Sequence, residues 1–175
     1  GLVTLEEYPI IDYILGLEKE APASKAYYKT FSSAMQRIIT SYCQSGGNLF
    51  VSGAYVGSDM SGTQGNREFT ERTLKYGYQS SLTDKTSNRI NGLGRTITIP
   101  RVPNENSYAV PAPDCIVPVD TAFPVFTYAP GNQSAGIAYK GNYRTFILGF
   151  PFESIQSEAD RATIMAGILG FFTQK

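Results

Sequence analysis

Few residues of this chain combine a reactive type with a position that could use it. Tyr55 lies in Gly53-Ala54-Tyr55-Val56-Gly57, directly after an apolar run, and Glu153 lies in Phe150-Pro151-Phe152-Glu153-Ser154, after another. These two are the candidate catalytic residues. A phenol can donate a hydrogen bond, stack on a ligand or, beside a cation, take a proton, and a carboxylate can serve as acid or base. Gly16, Glu18, Ser52, Gly53 and Asp59 flank the same run ends and are binding candidates. Glycine admits close approach to the backbone, and hydroxyls and carboxylates fix a ligand's polar groups. Each has a structural alternative. Tyr55 can pack in its turn with its hydroxyl satisfied, Glu153 can accept backbone N–H bonds near a helix start, and Glu18 and Asp59 can cap turns.

The chain has 175 residues, with 15 Lys and Arg, 15 Asp and Glu, and neither His nor Trp. Without imidazole there is no Ser-His-Asp or Cys-His activation of a nucleophile and no His-containing zinc site. A net charge of zero with no block of like charge gives no footprint for nucleic acid. No apolar run approaches the length of a membrane span. Cys43 and Cys115 lack metal-ligand spacing, and Gly92 and Gly94 lack the third glycine of a dinucleotide loop. No cofactor, metal site, nucleic-acid partner or membrane span is therefore expected.

The elements that would position these residues are legible from periodicity. The run from Ile10 to Gly16 reads as a strand buried on both faces. Met35, Ile38, Ile39, Tyr42 and Cys43 follow a helical period between an N-cap at Ser32 and a stop at Gly46. A second strand follows at Asn48 to Gly53, so strand, helix and strand call for a parallel right-handed unit. A helix is expected over Arg67 to Tyr76. Seven of the ten prolines fall in 78–133, which reads as an insertion of short strands laid over the sheet, with Tyr108, Phe123, Phe126 and Tyr128 as aromatic platforms or cover. Strands at Ala135 to Tyr139 and Tyr143 to Phe150 form a hairpin about Lys140-Gly141-Asn142. The last helix is capped at Ser157 and buries Met165, Ile168, Leu169 and Phe172.

Gly53-Ala54-Tyr55-Val56-Gly57 resembles the nucleophile elbow of class I glutamine amidotransferase-like domains, and Phe150-Pro151-Phe152-Glu153-Ser154 is similar to the segment that carries that family's His and Glu. Tyr55 stands where the family has Cys and Pro151 where it has His, so glutaminase activity is not implied. The flanking residues Ser45 to Tyr55 and Arg144 to Ile155 resemble modules of exported Bacteroidetes multidomain proteins labelled xanthan lyase-like.

The resemblance implies an α/β three-layer sandwich of flavodoxin-like, amidotransferase-like type. It has a mostly parallel sheet and a proline-rich β insertion, in one domain over 1–175. That family also begins with a strand ahead of Ile10, which implies a fragment of a longer protein lacking its first strand. The implied role is a non-catalytic module that binds or scaffolds in a polysaccharide-associated protein outside the cell or at its surface. Its partners would be the neighbouring domains of the parent protein and polysaccharide. The alternative is a carbohydrate-active lyase or hydrolase using Tyr55 and Glu153 with an arginine among Arg67, Arg95, Arg101 and Arg144.

Overall fold

The computed structural model describes residues 4–21, 28–105 and 107–174. Its strands are β1 (Ile10–Gly16), β2 (Asn48–Gly53), β3 (Tyr76–Ser81), β4 (Arg89–Gly92), β5 (Arg95–Thr98), β6 (Asp114–Pro118), β7 (Phe123–Ala129), β8 (Ser134–Lys140) and β9 (Arg144–Leu148). Its helices are α1 (Ser33–Gln44), α2 (Gln64–Phe69) and α3 (Glu158–Thr173). Seven strands form one sheet in the order β1-β2-β9-β8-β7-β4-β5, and β3 and β6 pair as a separate antiparallel ribbon.

Local chemistry explains the main elements. The Ser32 hydroxyl accepts the Met35 N–H and starts α1, and Ser157 does the same for α3 through the Asp160 N–H. Alternation along β2 and β9 then feeds two cores. Phe50, Phe146 and Leu148 face one side, where Ile164, Ile168 and Phe172 of α3 cover them, and Leu49, Val51 and Ile147 face the other, under Ile39, Tyr42 and Cys43 of α1 with Tyr76 and Ile116 of the ribbon.

The sheet is mixed. Only β1–β2 and β2–β9 are parallel, whereas β9–β8, β8–β7, β7–β4 and β4–β5 are antiparallel. This strand-rich, curled, mostly antiparallel sheet corrects the expectation of a mostly parallel three-layer sandwich of flavodoxin-like or amidotransferase-like type. The physical reason lies in the middle of the chain. Residues 78–133 are not laid over a finished parallel sheet, because they supply β4, β5 and β7 to the sheet itself.

Two finer expectations also change. β1 is an edge strand. Ile11, Tyr13 and Leu15 pack on one core, whereas on the other face only Ile10 packs, Asp12 is exposed and Ile14 is 59% exposed. The helix expected at Arg67 to Tyr76 starts earlier, at Gln64, and its last turn, Thr70–Leu74, widens to π geometry before Lys75 takes a left-handed conformation and opens β3. On α3 the stripe is Ile164, Ile168 and Phe172, and Leu169 is exposed.

Gly149 joins the sheet to the ribbon. Its N–H donates to Ala135, its carbonyl accepts the Asp114 N–H, and an added Cβ would lie 2.1 Å from the Asp114 carbonyl oxygen. The atom it would meet is backbone, held by the Asp114–Gly149 hydrogen bond, and cannot move aside cheaply. Gly170 of α3 has no atom within 4 Å of the equivalent position. Gly149→Ala should therefore cost about 3 kcal/mol or more in urea unfolding, whereas Gly170→Ala should stabilise by up to about 1 kcal/mol. Equal effects would contradict this packing.

Candidate functional site

The C-terminal ends of β1, β2 and β9 converge on one rim. Past β9, Gly149 and Phe150 lead into Pro151 and a single 3-10 turn, Phe152–Ser154, which is closed by Ser154 donating to the Pro151 carbonyl through both its N–H and its hydroxyl. This turn buries Phe152 edge-on to Phe50, with ring centroids 5.7 Å apart, and turns Glu153 outward. Gly16, at φ +53°, ends β1 opposite it, and a Cβ there would lie 3.3 Å from Glu153 Oε1. Gly16 is thus needed both for its left-handed backbone and for this approach.

Tyr108 completes the arrangement, donating to Glu153 Oε1 at 2.6 Å. It is held there by a loop that closes on itself, with Val110 donating to Pro100 and Asn104 bridging Ser107. Beneath the loop the buried Arg101 guanidinium donates to the Leu82, Ser87 and Pro111 carbonyls. Burial, and then Glu153, push the Tyr108 hydroxyl well above the usual phenol range. It remains a proton donor to the carboxylate throughout neutral pH.

Glu153 also lines a groove of about 600 Å³ with Asn104, Ser107, Gln156 and Arg161. Asp12 stands on the sheet face that carries Phe50 and Ser52, as the β1–β2 register requires. Burial first, and then the charge of Glu153, push its carboxyl up to about 6.

Tyr55 does not join this group. The residue is 8% exposed, its ring carries the Lys19 ammonium 4.3 Å from the centroid, and it lines a different cavity, of about 340 Å³, with Ser58, Asp59 and Ser81. Burial and Asp114 raise its hydroxyl. The remaining candidates have structural employment or none. Gly53 is pressed against Leu15, and Glu18 closes the turn after β1 by donating its N–H to the Leu15 carbonyl. The Asp59 carboxylate accepts from the Glu20 N–H, the Thr30 N–H and the Thr30 hydroxyl, and Lys29 caps its carbonyl. Ser52 is fully buried, and among the described residues its hydroxyl has no partner.

The four arginines named from sequence are engaged elsewhere. Arg67 donates to Ser61, Arg144 to Phe171 and Gln174, Arg101 to its three carbonyls, and Arg95 lies 4.0 Å from Asp160. The arginine in the Glu153 groove is Arg161, which donates to the Ile155 and Gln156 carbonyls. Sequence reasoning missed Arg161 and Gln156, although both lie within eight residues of Glu153 around the recognised cap at Ser157. Among the described residues no cluster of three or more His, Cys, Asp or Glu is placed to hold a metal ion, and no helix is long and apolar enough to cross a membrane.

Asp114 sets the geometry behind Tyr55. Its side chain has no exposed surface and accepts four hydrogen bonds, from Gly57 N–H at 2.8 Å, Ser58 N–H at 2.7 Å, the Ser58 hydroxyl at 3.0 Å and the Ser81 hydroxyl at 2.9 Å. Burial pushes its carboxyl up to about 6 although those donors pull the other way.

Comparison with known proteins identifies the fold and no family. No family model and no curated protein sequence matches the chain. Among solved structures it is similar to the exo-β-1,4-mannosidase Op5Man5 from Opitutaceae bacterium strain TAV5, with TM-score 0.60 and 12% identity over 99% of this chain and 27% of that one. It is also similar to the mmIFT52 N-terminal domain, with TM-score 0.57 and 14% identity over 98% of this chain and 79% of that one. The chain thus spans about a quarter of the length of the mannosidase. At these identities the likeness shows the fold alone. None of these matches supports an amidotransferase, xanthan lyase or exported assignment, and with the mixed sheet they overturn the family resemblance.

The carboxyls raised in the folded state fix the sign of a pH effect. A carboxyl at about 6 when folded and about 4 when unfolded holds more protons in the native state between those values, so stability falls as pH rises through that window. Asp12 contributes in the same direction but is largely solvent-screened. Urea denaturation should show stability falling from pH ~4 to pH ~6.5, by about 2 kcal/mol. Asp114→Asn should flatten that slope. A profile that rises across the window, or an unchanged slope in the variant, would contradict the assignment.

Proposed function

We propose that this chain is a glycan-binding module acting through the groove beside Glu153. The observation that carries the reading is the set of hydrogen-bonding groups at that groove, each fixed by the fold and each with capacity to spare. Tyr108 satisfies one direction of Glu153 Oε1, leaving the other acceptor positions of the carboxylate for ligand hydroxyls. Gln156 Oε1 accepts from the Thr98 hydroxyl at 2.9 Å, which leaves its two amide donors for a ligand. Arg161 spends one nitrogen on the Ile155 and Gln156 carbonyls and has further N–H groups for ring or hydroxyl oxygens. A groove lined by both acceptors and donors suits vicinal hydroxyls, each of which both donates and accepts. The fold-level likeness to part of a mannosidase fits a carbohydrate setting only loosely.

The lyase alternative needed Tyr55 and Glu153 in one cleft with an arginine, whereas the two residues line separate cavities. A hydrolytic role is the second reading: Asp12, on the sheet face that carries Phe50 and near enough to Glu153 for that charge to add to the upward push of partial burial on its carboxyl, would be the acid of a carboxylate pair.

Calorimetric titration with β-1,4-linked manno-oligosaccharides tests the binding reading. Glu153→Gln should weaken binding by about tenfold and Tyr108→Phe by a smaller factor, whereas Tyr55→Phe should leave it unchanged. Absence of saturable binding, or full affinity in Glu153→Gln, would overturn the reading. Reducing-end release from the same oligosaccharides, abolished by both Asp12→Asn and Glu153→Gln, is the result the hydrolytic reading requires.

A further inference from the structure

We infer that the Glu153 groove selects by charge, taking neutral glycans and turning away those that bear uronate or sulfate groups. This inference rests on the glycan-binding reading and adds the class of ligand. Although the whole chain is neutral, its charge is not evenly spread. Three carboxylates, Glu105, Glu153 and Glu158, line the groove against the single guanidinium of Arg161. Arg161 is half-buried and turned partly onto the Ile155 and Gln156 carbonyls, so it presents less than a free cation to an incoming anion. A fourth carboxylate, Asp12, is close enough to Glu153 to be raised by its charge.

Among the described residues, the two lysines near these strand ends are engaged outside the groove: Lys19 sits on the Tyr55 ring, and Lys29 is held by Glu20 and the Asp59 carbonyl. An acidic sugar would therefore bring its charge toward a groove lined by three carboxylates and one guanidinium, at a cost in desolvation and repulsion. A neutral sugar meets the same carboxylates as hydrogen-bond acceptors, which charge strengthens. One set of residues thus attracts hydroxyls and repels carboxylates.

A matched pair of ligands isolates the effect. β-1,4-Linked manno-oligosaccharide and oligomannuronate of equal length share linkage and ring stereochemistry and differ at C6. At about 0.02 M ionic strength the manno-oligosaccharide should bind at least about tenfold more tightly, and the gap should narrow to about threefold near 0.5 M, where screening shortens to a few ångströms. Glu105→Gln combined with Glu158→Gln should narrow the gap at low salt, weakening the neutral ligand by no more than about threefold because the amide oxygens still accept its hydroxyls, and an unchanged thermal unfolding transition reports that the variant is folded. Equal or tighter binding of the oligomannuronate at low salt would overturn the charge selection and leave the glycan-binding reading standing. Binding of neither ligand would overturn both.

Discussion

A carboxylate with no exposed surface and four hydrogen-bond donors around it organises this molecule. Asp114 gathers the Gly57 and Ser58 N–H groups and the Ser58 and Ser81 hydroxyls onto the start of β6. Its backbone meanwhile pairs with Gly149 at the end of β9, and the buried Tyr128 hydroxyl donates to the carbonyls of both. The turn after β2, the β3–β6 ribbon and the chain leaving β9 are thereby held together at one point. A buried ionised group is tolerated only when its lone pairs are satisfied. The cost of removing any one donor thus falls on all three elements, and the raised carboxyl is the trace of that burial.

The groove depends on this junction indirectly. Because Gly149 is fixed against Asp114, the Pro151–Ser154 turn has a defined starting point, and Phe152 can pack on Phe50 while Glu153 faces out. Gly16 clears the space on the β1 side, and the Arg101-braced loop delivers Tyr108 on the other. Three stretches distant in sequence therefore meet at one carboxylate. The Tyr55 turn has a different fate. It is packed, its ring is covered by Lys19, and its polar neighbours are turned toward Asp114 and the Thr30 segment. What resembles a nucleophile elbow in sequence is here a packed corner, apart from the Glu153 groove and beside a cavity of its own.

How much of this was legible follows from which interactions are local. The caps at Ser32 and Ser157, the strands at Ile10 and Asn48 and the hairpin around Gly141 are set within a few residues, and all are found. Sheet order is not local. Ile90, Ile97, Phe126 and Tyr128 alternate as any half-buried strand would, and nothing in that alternation says that their strands extend the main sheet antiparallel instead of covering it. The apolar run of β1 reads as buried on both faces because four of its seven residues are aliphatic. Asp12 is the contrary signal, an ionisable residue on the face it shares with the exposed Ile14.

At the site, Glu153 and the aromatic character of Tyr108 were visible in sequence, but their pairing spans 45 residues and required the fold. Asp114 was visible only as an acid at the mouth of the apolar run Cys115-Ile116-Val117. That pattern marks a carboxylate drawn into a core when donors from elsewhere come to meet it.

On the proposed reading, Glu153, braced by Tyr108, reads ligand hydroxyls and the Tyr55 corner does not. A crystal structure of the protein with a bound β-1,4-manno-oligosaccharide distinguishes the two. A sugar should lie in the groove between Asn104 and Arg161, with a hydroxyl hydrogen-bonded to Glu153 and the Tyr108 contact retained. A sugar seated against Tyr55 and Lys19, with the Glu153 groove empty, would contradict it.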